Sequence, residues 1–188
     1  MRKIKTIFER EGRVVLPVYV AGFSIEMLEG AIATEKLDGM NVRVTVRSRT
    51  SVRLEKRRNP DKLQKAKGII EAWYVDTDMY GPEDKWLLDA LKNTDLSTIP
   101  DGEWSGEALG PNIQGNPLNL HTNRILFFTL GQAPIFTDTP VNYDELKAWL
   151  PTQKSKYGND CGIEGIVWHT KDGDMFKIKT KDFSKDNR

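Results

Sequence analysis

The segment from Ile163 to Lys181, IEGIVWHTKDGDMFKIKTK, constrains the fold most because it predicts a β-hairpin. Two alternating apolar runs flank Asp172-Gly173, a dipeptide that favours a two-residue turn with positive φ at both positions. With that turn, Trp168 lies opposite Lys177 and Ile166 lies opposite Lys179, and opposed residues share a face. One face then carries Glu164, Ile166, Trp168, Lys177, Lys179 and Lys181, and the core face carries Val167, His169, Phe176 and Ile178.

A face that gathers a carboxylate and lysines has two interpretations. It can be an exposed surface of cross-strand ion pairs, each contributing about 0.2–1 kcal/mol. It can also bind a phosphorylated ligand, with the lysines on phosphate oxygens and the glutamate on a metal ion. The hairpin alone permits both interpretations.

A second strand is predicted after Gly39, where Val42, Val44 and Val46 alternate with polar residues. The formal net charge of the chain is only +1, but the region from Arg43 to Lys67 is locally basic. A basic segment can follow a phosphate backbone, and it can equally be a solvated surface. The ten basic residues are Arg43, Arg47, Arg49, Arg53, Lys56, Arg57, Arg58, Lys62, Lys65 and Lys67.

The other patterns predict short helices among strands, which indicates an α+β fold. Helices are expected over residues 61–73, from Pro82, and from about Asn142, and GEWSGEALG and NRILFFTL are expected to be strands. The single Cys161 cannot form an internal disulfide, and the two histidines cannot complete a Cys/His metal site. A cytoplasmic protein without a membrane span is expected.

Six short motifs follow one another in an order that resembles the covalent nucleotidyltransferases, the superfamily of nucleic-acid ligases and mRNA capping enzymes. Each motif alone is weak evidence for this superfamily, but six motifs in this order are a specific signature of it. They are EKLDG with Lys36, SRT with Arg49, GEALG with Glu107, LFFTL with Phe128, EGIVW with Glu164, and KIK with Lys177 and Lys179.

Within that superfamily the chain most resembles ATP-dependent RNA ligases. EKLDGMN followed by GEALGPNIQ is similar to the RNA-editing and T-even phage type, and GPNIQGNPLNL and IEGIVWHTKDG resemble the vertebrate 5′-to-3′ RNA ligase family. Asn41 stands where many DNA ligases and capping enzymes have arginine, which favours RNA over DNA. Because only nine residues follow Lys179, we expect one nucleotidyltransferase domain over residues 1–188 without a separate C-terminal domain.

The resemblance implies a fold and a reaction. The fold would be an adenylation domain of antiparallel sheets with flanking helices and a nucleotide cleft between them. The reaction would join 5′-phosphate and 3′-hydroxyl RNA ends with ATP and Mg²⁺, or Mn²⁺, through a lysyl-adenylate and an RNA-adenylate. The alternatives are a DNA ligase or capping guanylyltransferase, and a module that binds RNA or nucleotide without catalysis.

The resemblance also implies roles for individual residues. Lys36 would be the nucleophile, and because a lysine with an ordinary pKa of about 10.4 is protonated at neutral pH, nearby cations must favour its neutral form. Lys177 and Lys179 would supply those cations and bind the phosphates. The Glu35 backbone would read the adenine edge, Arg49 would contact phosphate or ribose, and Glu107 would bind the ribose. Phe128, or its rival Phe127, would stack on the base, and Glu164 would bind the metal ion through water. Asn41, Arg57 and Arg58 would contact RNA.

Overall fold

The structure is a computed structural model that describes residues 4–184. Within these residues, three α-helices lie among twelve strands: α1 Lys62–Ala66, α2 Asp84–Lys92 and α3 Tyr143–Trp149. The strands are β1 Lys5–Thr6, β2 Phe8–Glu11, β3 Val14–Tyr19, β4 Ile32–Glu35, β5 Met40–Arg47, β6 Thr50–Arg58, β7 Trp73–Asp76, β8 Gly102–Leu109, β9 Arg124–Leu126, β10 Ile135–Phe136, β11 Gly165–His169 and β12 Met175–Lys179. A mixed, sheet-rich fold with few helices is therefore confirmed.

The chain divides into two compact units. The central unit comprises residues 38–132, and the terminal unit comprises residues 4–37 and 133–184. Within residues 4–184, none of the helices has the length and apolar character needed to cross a membrane.

The central unit is built on an antiparallel sheet with the strand order β7-β6-β5-β8-β9. The alternation of β5 sets its two faces, because Val42, Val44 and Val46 are fully buried while Asn41 and Arg43 lie on the other face. Helix α2 buries Leu87 and Ala90 in the hydrophobic cluster that contains these three valines. The strand predicted after Gly39 and the helix predicted from Pro82 are both confirmed.

The terminal unit has a five-stranded sheet with the order β1-β12-β11-β4-β10 and a two-stranded sheet of β2 and β3. All pairs in the larger sheet are antiparallel except β1 with β12. Its core includes Ile166, Trp168, Phe176 and Ile178. The helix predicted near Asn142 is confirmed as α3, whose Asn142 side chain accepts a hydrogen bond from the backbone N–H of Glu145 at 2.9 Å.

The predicted hairpin exists, but its predicted register is wrong by one residue. Ile166 lies opposite Ile178, and Val167 lies opposite Lys177. The turn has three residues rather than two: Thr170 donates its backbone N–H to Asp174 at 2.9 Å, and Gly173 has φ +85°. A three-residue turn with a left-handed glycine is the next commonest hairpin.

The shifted register reverses the predicted faces of β11, because a slip of one residue moves every side chain to the other face. Ile166 and Trp168 are core residues rather than neighbours of the lysines. His169, expected on the core face, lies on the opposite face, with Nε2 3.0 Å from Thr34 Oγ1. Burial lowers the pKa of this histidine.

Two other expected elements are shorter than predicted. The helix expected over residues 61–73 ends after one turn as α1, because Gly68 has φ +83° and the chain becomes strand again at Trp73. The strand expected for NRILFFTL ends at Leu126, and Phe128–Leu130 form a 3₁₀ helix.

Candidate active site

Lys36 directly follows β4 and keeps the register of the sheet, because its backbone N–H donates to the carbonyl of Gly165 at 2.9 Å. Glu35 lies opposite Ile166 and therefore faces the core. Successive residues of a strand alternate in direction, so Lys36 turns to the face that carries Lys177 and Lys179.

The Glu164 carboxylate bridges two lysines. Lys36 Nζ donates to Glu164 Oε2 at 2.5 Å, and Lys179 Nζ donates to Glu164 Oε1 at 2.5 Å. Only 10% of the Glu164 side chain is exposed, against 20% for Lys36 and 22% for Lys179. Burial acts to raise the pKa of Glu164, but the charges and hydrogen bonds of the two lysines outweigh it and hold that pKa below its ordinary value. Glu164 is therefore ionised at neutral pH.

Gly165 explains how β11 and β12 approach closely enough for this bridge. A Cβ atom at this position would lie 2.1 Å from the carbonyl oxygen of Ile178 and 2.7 Å from Cα of Lys179. No side chain fits there without a shift of the backbone. Lys177 lies on the same face of β12 as Lys179, opposite Val167.

The Glu35 side chain forms a clamp on the loop that contains Ser155 and Lys156. Glu35 is 3% exposed, and its carboxylate accepts from Ser155 Oγ at 2.5 Å and from the backbone N–H of Lys156 at 2.9 Å. Ser155 Oγ in turn accepts from the backbone N–H of Gly158 at 2.7 Å. The family resemblance implies only a backbone role for Glu35, and no local periodicity indicates a side-chain contact across 120 residues.

On the polar face of the central sheet, Asn41 lies directly opposite Glu107. The Tyr74 hydroxyl donates to Asn41 Oδ1 at 2.9 Å and lies 3.1 Å from Ser105 Oγ. The Arg43 guanidinium lies 4.6 Å from the Tyr74 ring centroid. Asn41 is thus held in place by a tyrosine that the sequence motifs did not indicate.

The arginines predicted to act as a group are separated. Arg57 lies opposite Tyr74 on the polar face, and its Nε is buried without a hydrogen-bond partner among the described residues. Arg58 points to the other face, with its guanidinium 5.7 Å from the Trp73 ring centroid. Arg49 is exposed in the turn between β5 and β6 with φ +62°, and the length of β5 separates it from Asn41 by roughly 20 Å. The structure does not bring Arg49 together with Asn41 and Glu107.

The aromatic pair also divides between core and surface. Phe127 is fully buried in the central core, and its backbone N–H donates to Gln132 Oε1 at 2.8 Å. Phe128 is partly exposed at the start of the 3₁₀ helix. Of the two rings, only that of Phe128 is exposed enough to contact a ligand.

The donor set near Glu164 fits a hydrated divalent cation better than direct ligation. Among residues 4–184, no group of three or more His, Cys, Asp and Glu side chains is arranged to hold a metal ion. Each Glu164 oxygen accepts from one lysine and keeps a lone pair for a water molecule. Mg²⁺ keeps several of its waters in proteins, so a water-mediated contact suits this carboxylate.

Comparison with known proteins gives one family match. The family model described as RNA ligase 1 matches residues 89–185, just over half of the chain. This region includes Glu107, Glu164, Lys177 and Lys179 and begins after Lys36. No curated protein matches the chain.

Several solved structures are similar to the chain at low identity. A Naegleria gruberi RNA ligase mutant with ATP and Mn is 14% identical with a TM-score of 0.49, and the match covers 95% of this chain and 59% of that one. A mutant of that ligase with AMP and Mn is 13% identical with a TM-score of 0.48 and the same coverage. The chain spans about three fifths of the length of these structures.

Proposed function

The chain belongs to the RNA ligase 1 family, and on this premise we propose that it is an ATP-dependent RNA ligase that joins 5′-phosphate and 3′-hydroxyl RNA ends. Both units would belong to one nucleotidyltransferase domain, the fold that the six motifs resemble. The substrates would be ATP and RNA. A cytoplasmic location, expected from the single Cys161, stays a prediction.

The observation that carries the proposal is the Glu164 carboxylate shared by Lys36 and Lys179. Lys36 is the motif lysine, and it lies beside a second lysine in a partly buried cluster rather than in open solvent. When Lys36 loses its proton and leaves the carboxylate, Lys177 and Lys179 remain as the cations that favour a neutral amine and attract phosphate oxygens. Because the pKa of Glu164 is lowered, this carboxylate is suited to orient the lysines rather than to accept the proton.

Three displacements at phosphorus make up the proposed reaction. In the first, Lys36 Nζ forms a bond to the α-phosphorus of ATP, the bond to pyrophosphate breaks, and the amine proton passes to solvent. In the second, an oxygen of the RNA 5′-phosphate attacks the AMP phosphorus and releases Lys36. In the third, the RNA 3′-hydroxyl oxygen forms a bond to the 5′-phosphorus, its proton passes to solvent, and the bond to AMP breaks. Positioning and charge neutralisation dominate such transfers.

Glu164 would hold Mg²⁺ through water, because each carboxylate oxygen keeps a lone pair that can accept a hydrogen bond from a metal-bound water. The bound ion would supply positive charge to the phosphates. In the central unit, Glu107 would bind the ribose and Phe128 would stack on the base. Arg49 lies at the far end of β5, roughly 20 Å from Asn41, and would not reach that ribose. The backbone of Glu35 would read the adenine edge, and Asn41 would contact the RNA end.

Arg57 and Arg58 should be tested separately because they point to opposite faces of β6. Arg57 shares a face with Asn41 and Glu107, which favours a contact with nucleotide, whereas Arg58 has no such neighbours on its face. We expect Arg57→Gln to lower self-adenylation and Arg58→Gln to weaken RNA retention while sparing self-adenylation. Equal effects of the two variants on self-adenylation would contradict this division.

The test of the function is covalent labelling with ATP. Incubation with α-³²P-labelled ATP and Mg²⁺ should leave label on the wild-type protein, and Lys36→Ala should abolish it. Lys171→Ala, which removes an exposed lysine from the turn of the same hairpin, serves as the matched control and should label normally. A wild-type protein that takes no label from any nucleoside triphosphate would refute the proposal.

A further inference from the structure

The structure separates the basic residues between Arg43 and Lys67 into two groups. Arg43 pairs with Glu55 at 2.7 Å, Arg53 pairs with Asp76 at 2.7 Å, and Lys56 pairs with Asp84 at 2.5 Å. These three cations are compensated inside the central unit. Arg47 and Arg49 at the turn between β5 and β6, and the cations from Arg57 to Lys67, have no such partners among the described residues.

The uncompensated charges continue into the loop between β6 and β7, residues 59–72. Lys62, Lys65 and Lys67 are exposed, and none of them is in an ion pair among residues 4–184. Asp61 already accepts the backbone N–H of Gln64 at 2.8 Å as the cap of α1. Residues 62–70 therefore carry three positive charges and no negative charge, with Asp61 and Glu71 flanking them, and the net charge of +1 conceals this local excess.

The same loop exposes apolar side chains. Leu63 is 76% exposed, Ile70 is 79% exposed and Ile69 is 44% exposed. Helix α1 buries none of its residues, and these three aliphatic residues belong neither to the hydrophobic core of the central unit nor to that of the terminal unit. Single exposed apolar residues are normal, but aliphatic residues clustered among lysines in one short loop indicate a contact surface.

We propose that residues 62–70 form a surface that docks the RNA substrate. Lysine ammonium groups would bind phosphates, and Leu63, Ile69 and Ile70 would pack against riboses and exposed bases. Charge complementarity favours a polyanion, and RNA is the polyanion that the proposed ligase reaction requires. The inference rests on the proposed function and identifies the part of the central unit that holds the RNA.

The first test compares two double variants in binding to a 5′-phosphorylated single-stranded RNA oligonucleotide over a range of salt concentrations. Lys65→Gln/Lys67→Gln should weaken binding and reduce the slope of log K against log salt by about 1.4, the value for two lost phosphate contacts on a single strand. Lys92→Gln/Lys147→Gln removes two exposed lysines from α2 and α3 and should bind as wild type. Equal RNA affinity of the two double variants would overturn the proposal.

The second test separates the apolar contribution from charge. Ile69→Ser/Ile70→Ser should weaken RNA binding while leaving the salt slope unchanged, because no cation is lost. An unchanged RNA affinity would overturn the proposal, and a change in self-association alongside it would indicate a protein interface instead. Thermal unfolding of each variant, expected to match wild type because the positions are exposed, checks that folding is intact.

Self-adenylation separates failure of this inference from failure of the proposed function. If wild type takes the adenylate label but the loop variants bind RNA as wild type does, RNA docking at this loop is wrong and the ligase function stands. If wild type takes no label, the ligase function is wrong whatever the loop binds.

Discussion

Glu164 accepts hydrogen bonds from two ammonium groups, and both ion pairs require its carboxylate to be ionised. With a folded-state pKa below the ordinary value, the carboxylate is deprotonated more readily in the folded protein than in the unfolded chain. Its ion pairs therefore stabilise the fold fully above the unfolded-state pKa of about 4.3. That stabilisation is lost as the pH falls through the lowered folded-state pKa.

Glu164→Gln should remove this pH dependence. We expect the wild-type protein to exceed the variant in free energy of unfolding at neutral pH, and the difference to shrink as the pH falls below about 4.3. Urea unfolding of both proteins between neutral and acidic pH measures this difference in free energy of unfolding. A difference that stays constant across that range would mean that the Glu164 ion pairs do not stabilise the fold.

Glu35 and Ser155 should act as one unit, because the buried carboxylate depends on the serine hydroxyl for one of its hydrogen bonds. Ser155→Ala should cost about 1–3 kcal/mol of stability and lower the rate of self-adenylation, since the clamp fixes the residue before Lys36. Thr122→Ala, which removes an exposed hydroxyl, is the control. In a double-mutant cycle, Glu35→Gln and Ser155→Ala should be coupled by about 0.5–3 kcal/mol, and strictly additive effects would argue against the clamp.

The hairpin of β11 and β12 positions Glu164, Lys177 and Lys179, and the close approach of its strands depends on Gly165. Gly165→Ala should destabilise the protein by about 1–3 kcal/mol, because the new Cβ meets backbone atoms that cannot rotate away. Gly162→Ala is the matched control, since the nearest atom to its new Cβ would be the Gln153 carbonyl oxygen, 3.7 Å away. Urea unfolding should separate the two variants, and equal stabilities would contradict the close-approach explanation.

Local periodicity predicted those elements whose patterns are long and regular, such as β5, α2 and α3. It predicted the hairpin but not its register, because Asp-Gly fits both a two-residue turn and a three-residue turn with glycine in the left-handed region. Helix α1 was predicted too long because the sequence from Asp61 to Trp73 resembles a helix apart from Gly68. The motifs led to Lys36, Glu164 and Lys179, but the contacts of Tyr74, Glu35 and Ser155 join distant segments that local patterns cannot relate.

Across the whole molecule, near-neutral net charge coexists with two concentrations of positive charge. One is the lysine cluster around Glu164 in the terminal unit, and the other is formed by Lys62, Lys65 and Lys67 in the central unit. The first surrounds a carboxylate and is partly buried, which suits phosphate chemistry. The second is exposed and unpaired among the described residues, which suits RNA binding. Net charge alone would have suggested neither site.

The central claim is that the Lys36 amine forms the bond to AMP. Peptide mass spectrometry after incubation of the wild-type protein with ATP and Mg²⁺ tests it directly, if digestion is done at alkaline pH to preserve the phosphoramidate bond. We predict a peptide that contains Lys36 and carries the mass of one AMP. An AMP adduct on Lys177 or Lys179, with Lys36 unmodified, would contradict the account.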